Sequence, residues 1–305
     1  IYMGDWSSDV CSSDLSVWDY VGGFADARAR IMRLIGDPET RYREDPVRML
    51  RAVRFAAKLN FEIHADTAAP IHKLARMLDA VPPARLFDEI NKLFLSGSAV
   101  AAFDLLIKYG LLEHLFPDLA TALAEAPDSP AARLLRLGLA GTDERVKADK
   151  SVTPTFLFAV LLWPAISRAS QQSAQGEGSD IREMSDACDQ VTARQQKRIA
   201  VPKRFTLPLR EIIAMQPRFN LCEGRRALRL LDHPRFRAAY DFLLLRAAAG
   251  EVDPQLAAWW TEIQTLSPEE KIARVERKPD ASQPTRTGVV GKRRRRRRRP
   301  APRAS

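Results

Sequence analysis

The chain has 305 residues and a mass of 34.2 kDa, and its 46% hydrophobic content can supply a buried core, which leaves room for two domains and excludes a peptide or a globally disordered chain. Three widely spaced cysteines, Cys11, Cys188 and Cys222, form no CxxC pair. That argues against a disulfide framework or a zinc site and makes a reducing, cytoplasmic setting the expectation. No apolar run approaches the roughly 18 to 20 residues of a bilayer span, and the start lacks the basic-then-apolar layout of a signal peptide.

The charge is localised. Between Ala281 and Ser305 ten basic residues and no acid account for the whole net charge of +10, so the rest of the chain is formally neutral. A neutral body with a polycationic tail suits a protein held near a polyanion, usually nucleic acid.

In chain order, residues 1–15 (IYMGDWSSDVCSSDL) carry a near-repeat around Cys11 with neither helical nor strand period, and are expected to be a non-native artefact. Residues 16–36 hold two β-branched and aromatic runs, VWDYV and IMRLIG, on either side of Gly22-Gly23. They suit the last strands of a larger α+β unit, and two strands cannot make a stable sheet alone. The expectation is a short β remnant of a head domain whose preceding part is missing.

Everything after Asp37 reads as helix, opening at Pro46 and running to about Leu59, then at about 66–78, 83–95, 98–109, 130–139, 154–168, 180–199, 207–215, 222–231, 235–249 and 254–265. Gly97, Gly110, Gly141 and Gly250 stand where C-caps are expected, and Pro83, Pro130 and Pro254 near starts. The fold class is therefore mainly α: a helical neck over 37–125, a helical C-terminal body over 126–270 and a disordered basic tail over 271–305. Residues 170–179 (SQQSAQGEGS) make the best internal linker.

The most unusual segment is RYREDPVRMLRAVRFAAKL, Arg41 to Leu59. At 100° per residue Asp45, Arg48, Arg51 and Arg54 form a slowly turning stripe, while Met49, Leu50, Val53 and Ala57 gather opposite. Guanidinium forks grip phosphate oxygens, and a carboxylate accepts hydrogen bonds only. Adenine offers N6 as donor beside N1 as acceptor, and cytosine N4 beside N3. An Asp acceptor with an Arg donor one turn along complements both edges and mismatches guanine and uracil. Asp45 and Arg48 could thus read A or C, with Arg51 and Arg54 reaching phosphates. The competing reading is a solvated charged face laced by pairs such as Glu44 with Arg48.

The run GDPETRYREDPVRMLRAVRFAAKLNF resembles the end of the head and the neck of class II nucleotidyltransferases, the superfamily of bacterial poly(A) polymerases and CCA-adding enzymes. The family's EDxxR motif, which reads the incoming base, matches Glu44, Asp45 and Arg48. The arginines that follow it and contact the nucleotide match Arg51 and Arg54. PPARLFDEINKLF (Pro82 to Phe94), YGLLEHLFPDL (Tyr109 to Leu119), HPRFRAAYDFLLLRA (His233 to Ala247) and the arginine tail are similar to the poly(A) polymerase branch. The resemblance implies transfer of AMP from ATP to RNA 3′ ends, with ATP as substrate, RNA and possible RNA-decay machinery as partners, and Mg²⁺ as cofactor.

The family's GS-containing loop, its paired metal-holding aspartates and its RRDFT-type motif are not found in this sequence, so the expectation is a truncated chain, inactive alone, without catalytic or metal-ligating residues. Alternatives kept open are a CCA-adding tRNA nucleotidyltransferase and a non-catalytic helical RNA-binding module.

His64, His72, His114 and His233 are scattered and read as surface or helix-end residues, and Trp163, Trp259 and Trp260 as core. Arg225, Arg226 and Arg229, with Arg235 and Arg237, could line an RNA path or simply form a solvated face. The tail residues Arg293, Arg294, Arg295, Arg296, Arg297, Arg298 and Arg299 are candidate nonspecific RNA contacts.

Overall fold

The computed structural model describes residues 19–173 and 180–276. The expected artefact at 1–15, residues 174–179 of the expected linker and the arginine-rich tail lie outside the described residues. Within them the chain is almost wholly helical, with two short strands that pair in parallel.

Helix α1 (Gly23–Arg28) leads into β1 (Ile31–Met32), α2 (Pro38–Glu44), α3 (Val47–Leu59) and β2 (Glu62–Ile63). Ile31 lies opposite Glu62 and Met32 opposite Ile63. Of the two runs expected as strands, IMRLIG contributes β1, but Asp19–Val21 of VWDYV is not a strand. The cause is local. The Asp19 carboxylate accepts from the amides of Val21 at 3.2 Å, Gly23 at 2.8 Å and Phe24 at 2.8 Å, which bends the chain into α1. The bonds from Phe24 and then Gly23 hold Asp19 below the usual carboxylate range. The partner of β1 is β2, inside a region expected to be wholly helical. Two residues are too few to show a period of two in the sequence.

The neck continues with α4 (Ala65–Leu74), a 3-10 turn (Ala75–Ala80), α5 (Pro83–Phe94), α6 (Ala99–Lys108), α7 (Leu112–Leu115) and α8 (Pro117–Glu125). The body adds α9 (Pro130–Lys147), α10 (Pro154–Ser173), α11 (Asp180–Arg198), α12 (Lys203–Met215), a 3-10 turn (Gln216–Asn220), α13 (Gly224–Leu231), α14 (Phe236–Ala248), α15 (Pro254–Thr265) and α16 (Pro268–Glu276). Gly97, Gly110 and Gly250 adopt positive φ, as caps require, whereas Gly141 lies inside α9. Helix α9 runs on because its face is needed. Thr142 and Asp143 are buried, and a Cβ on Gly138 would sit 2.6 Å from a Val160 methyl, so that glycine lets α9 and α10 approach closely.

Residues 271–276, expected to open the tail, are helical. Lys271–Glu276 belong to α16, which packs on α13 and buries Val275. Its start is a capping box: the Ser267 amide donates to Glu270 Oε2 at 2.8 Å, and the Glu270 amide to Ser267 Oγ at 3.3 Å.

One apolar cluster extends from Met32 to Val275. Trp163 and Trp260 lie in it, their indole N–H groups donating to Glu251 Oε1 at 3.0 Å and to the Phe219 carbonyl at 2.8 Å. Each fully buried large apolar side chain of this kind contributes about 1.5 to 3 kcal/mol relative to exposure.

Candidate functional site

The expected motif straddles a break between α2 and α3. A residue before proline is pushed out of the helical region, and Asp45, which precedes Pro46, is extended at φ −145°, ψ 96°. Helix α2 therefore ends at Glu44, and Asp45 is not on the helical stripe that 100° spacing predicts. It sits at the mouth of α3 instead. Its Oδ1 accepts from the Val47 amide at 3.2 Å, and its Oδ2 from the Arg85 guanidinium at 2.7 Å. Both oxygens are engaged, yet a carboxylate offers about four lone-pair directions, so capacity for another donor remains. Glu44 does not pair with Arg48; it accepts from Arg41 Nη1 at 3.1 Å.

Arg48, Arg51 and Arg54 do share one side of α3. They are half-buried, while Val47, Met49, Leu50, Ala52, Val53, Ala56 and Ala57 between them are buried against the core. At 1.5 Å rise per residue Arg48 and Arg54 stand about 9 Å apart along the axis. Arg54 stacks over the Phe55 ring at 4.8 Å. Phe55 therefore serves as a cation–π platform beside the stripe.

Helix α5 packs along α3 and supplies residues that periodicity on α3 alone does not reveal. Arg85 and Glu89 are one turn apart. Arg85 holds Asp45, and Glu89, only 5% exposed, faces Arg51 at 3.6 Å and Lys92 at 3.1 Å. The signal was the i,i+4 pair of opposite charges just after Pro82-Pro83.

The three buried side-chain nitrogens and oxygens without a partner among the described residues are Arg48 Nε, Arg54 Nε and Asn91 Oδ1, all on α3 and α5. Leaving such a group unmatched costs roughly 1 to 3 kcal/mol. Folds tolerate that where a side chain is held for another purpose. Among the described residues no three His, Cys, Asp or Glu side chains converge to hold an ion, so these residues do not fit a Mg²⁺ cage and no step is assigned to one.

Of the body arginines, Arg226 and Arg229 line a cavity together with Arg218, whereas Arg225 on the same helix does not. Arg293 to Arg299 lie outside the described residues. His64 caps α4 through its Nδ1, His114 pairs with Asp79, and His233 accepts from the Arg235 amide, in keeping with helix-end roles.

Residues 60–123 match a family model described as "Probable RNA and SrmB- binding site of polymerase A", and residues 177–300 one described as "Polymerase A arginine-rich C-terminus". Poly(A) polymerase I of Escherichia coli O6:H1 is 44% identical over 266 residues, 84% of this chain and 56% of the relative. The chain thus spans a little over half of that protein. A CCA-adding enzyme of Bacillus velezensis is 35% identical over 104 residues, 34% of this chain and 26% of the relative. A solved tRNA-processing enzyme shares the fold at a TM-score of 0.52 and 18% identity, covering 85% of this chain and 67% of the other. With both polymerase A models matched and the long alignment to poly(A) polymerase I, the chain belongs to the bacterial poly(A) polymerase family of the CCA-adding superfamily.

Proposed function

We propose that this chain supplies the base-reading neck and the RNA-holding body of a polynucleotide adenylyltransferase, which transfers AMP from ATP to RNA 3′ ends. Asp45 accepts from the N6 amino group of adenine, Arg48 donates toward N1, and Arg51 and Arg54 hold the phosphates. The observation that carries the reading is the pair of unpartnered, buried Arg48 and Arg54 Nε atoms on one side of α3. A helix whose arginines served only as a solvated face would leave those nitrogens to water.

In this arrangement α5 is the jig. Arg85 fixes the Asp45 carboxylate and Glu89 steadies Arg51, so the polar groups are set before a nucleotide arrives. Two-metal chemistry on the α-phosphate, with Mg²⁺, belongs to the head of the longer relatives in this proposal, and the described residues take no part in it. ATP as substrate, RNA-decay partners and a cytoplasmic setting belong to the same proposal; free Cys188 and Cys222 thiols suit such a setting.

A CCA-adding activity uses the same base edges, and its support here is the match over one third of the chain. The test is a chimera carrying residues 37–276 in place of the matching segment of the Escherichia coli relative, supplied with RNA, Mg²⁺ and single nucleotides. Runs of A are expected. Ordered addition of C, C and A would overturn the adenylyltransferase reading in favour of the CCA-adding one.

A further inference from the structure

The body holds a second basic concavity, remote in sequence from α3. Arg218 projects from the 3-10 turn at Gln216–Asn220, Arg226 and Arg229 stand one turn apart on α13, and His233 follows the end of that helix. With Leu221 and Leu230 they line an open cavity of about 380 Å³, and among the described residues no carboxylate lines it. Most neighbouring arginines are neutralised: Arg210 by Asp189, Arg235 by Glu211 and Arg237 by Asp241. Arg218, Arg226 and Arg229 have no such partner among the described residues.

We propose that this cavity is a backbone-phosphate site for single-stranded RNA. Three guanidiniums converging on one concavity repel one another, and apolar walls focus their field, so the site favours an anion with several acceptor oxygens. Arg229 Nε donates to the Arg225 carbonyl at 3.4 Å, which fixes the side chain and leaves its fork free. His233 Nδ1 accepts from the Arg235 amide at 3.1 Å, so the neutral ring carries its proton on Nε2 and adds a donor. No Phe, Tyr or Trp lines the cavity, so it offers no stacking platform for a base and reads phosphate rather than sequence. Continuity favours a strand over a free anion. Helix α16 packs on α13 and carries by covalent connection into the arginine-rich segment, which tethers a second phosphate-binding element to the same helix pair.

This inference rests on the RNA-binding part of the proposed function, and the experiment separates the two. Binding of a short labelled oligoadenylate to the full chain is measured across a salt series for the wild type, for the double variant Arg226→Gln/Arg229→Gln and for Arg225→Gln. These side chains are exposed, and circular dichroism confirms that the variants fold. The double variant is expected to bind about tenfold or more weakly, with the log–log salt slope smaller by about 1.4, roughly 0.7 per lost contact. Arg225→Gln should change affinity less than about twofold, because it lies outside the cavity. Inorganic pyrophosphate at matched phosphate concentration should not displace the RNA.

Equal losses from Arg225→Gln and the double variant would show a diffuse charged face and overturn the site. Unchanged binding in the double variant overturns it too, while leaving RNA binding intact. Displacement by pyrophosphate would assign the cavity to a free anion, and a wild type that binds no oligoadenylate would remove the RNA reading together with this one.

Discussion

Arg85 donates to Oδ2 of Asp45 at 2.7 Å across forty positions of sequence, tying α5 to the break between α2 and α3. Because the other Asp45 oxygen already caps α3 through the Val47 amide, this contact fixes the carboxylate plane that a base would meet. Arg85→Gln is expected to cost less than about 1 kcal/mol of stability, since Arg85 is 44% exposed. Its effect on recognition should be larger, with the preference for ATP over GTP reduced several-fold. Thermal denaturation and nucleotide titration on one preparation separate the two effects. A large stability loss with unchanged preference would make the contact merely structural.

The neck and body are joined by a cap that comes from another helix. Ser98 precedes α6 but makes no side-chain capping bond; the buried Asp143 of α9 accepts from the Ala99 amide at 2.5 Å and the Val100 amide at 3.2 Å. Asp143→Ala leaves the buried Ala99 amide and the half-buried Val100 amide unmatched and should destabilise by about 1 to 3 kcal/mol, read from denaturant midpoints. Asp143→Asn, which keeps one acceptor, should recover part of that loss.

Cysteine burial sets a stability limit at alkaline pH. Desolvation pushes the Cys188 thiol up to about 11, while an unfolded thiol titrates near about 8.5. The folded state therefore keeps a proton that the unfolded state loses. The resulting stabilisation is fully present below about pH 8.5 and disappears as pH rises to about 11. The melting temperature of the wild type should fall more between pH 8 and about 10 than that of Cys188→Ala, each referred to its own value at pH 7. Parallel curves would contradict the shift.

The long helices were legible because their signals repeat. Proline starts, glycine ends and the apolar side of α3 recur over ten or more residues, and the buried set Met49, Leu50, Val53 and Ala57 is the one that periodicity selects. What escaped was short or nonlocal. Helix α7 and strand β2 are too brief to show a period, and α16 was masked by the tail composition despite its SPEE capping box. Asp45 leaves the helical stripe that 100° spacing predicts because it precedes Pro46, a local constraint that outweighs periodicity. The Arg85 and Glu89 contacts depend on how α5 lies against α3, which no spacing within either helix encodes. The cavity at Arg218 likewise needs two segments brought together by the Phe219, Phe236 and Trp260 cluster.

The central claim is that Asp45 and the α3 arginines recognise one nucleobase, and equilibrium titration of the chain with ATP, CTP, GTP and UTP, beside Asp45→Ala, tests it most directly. The account predicts that ATP and CTP bind about tenfold or more tightly than GTP and UTP, a mismatch of about 1.4 kcal/mol or greater, and that Asp45→Ala erases the difference while phosphate-dependent affinity persists. Equal binding of all four nucleotides by the wild type, or an unchanged preference in Asp45→Ala, would contradict it.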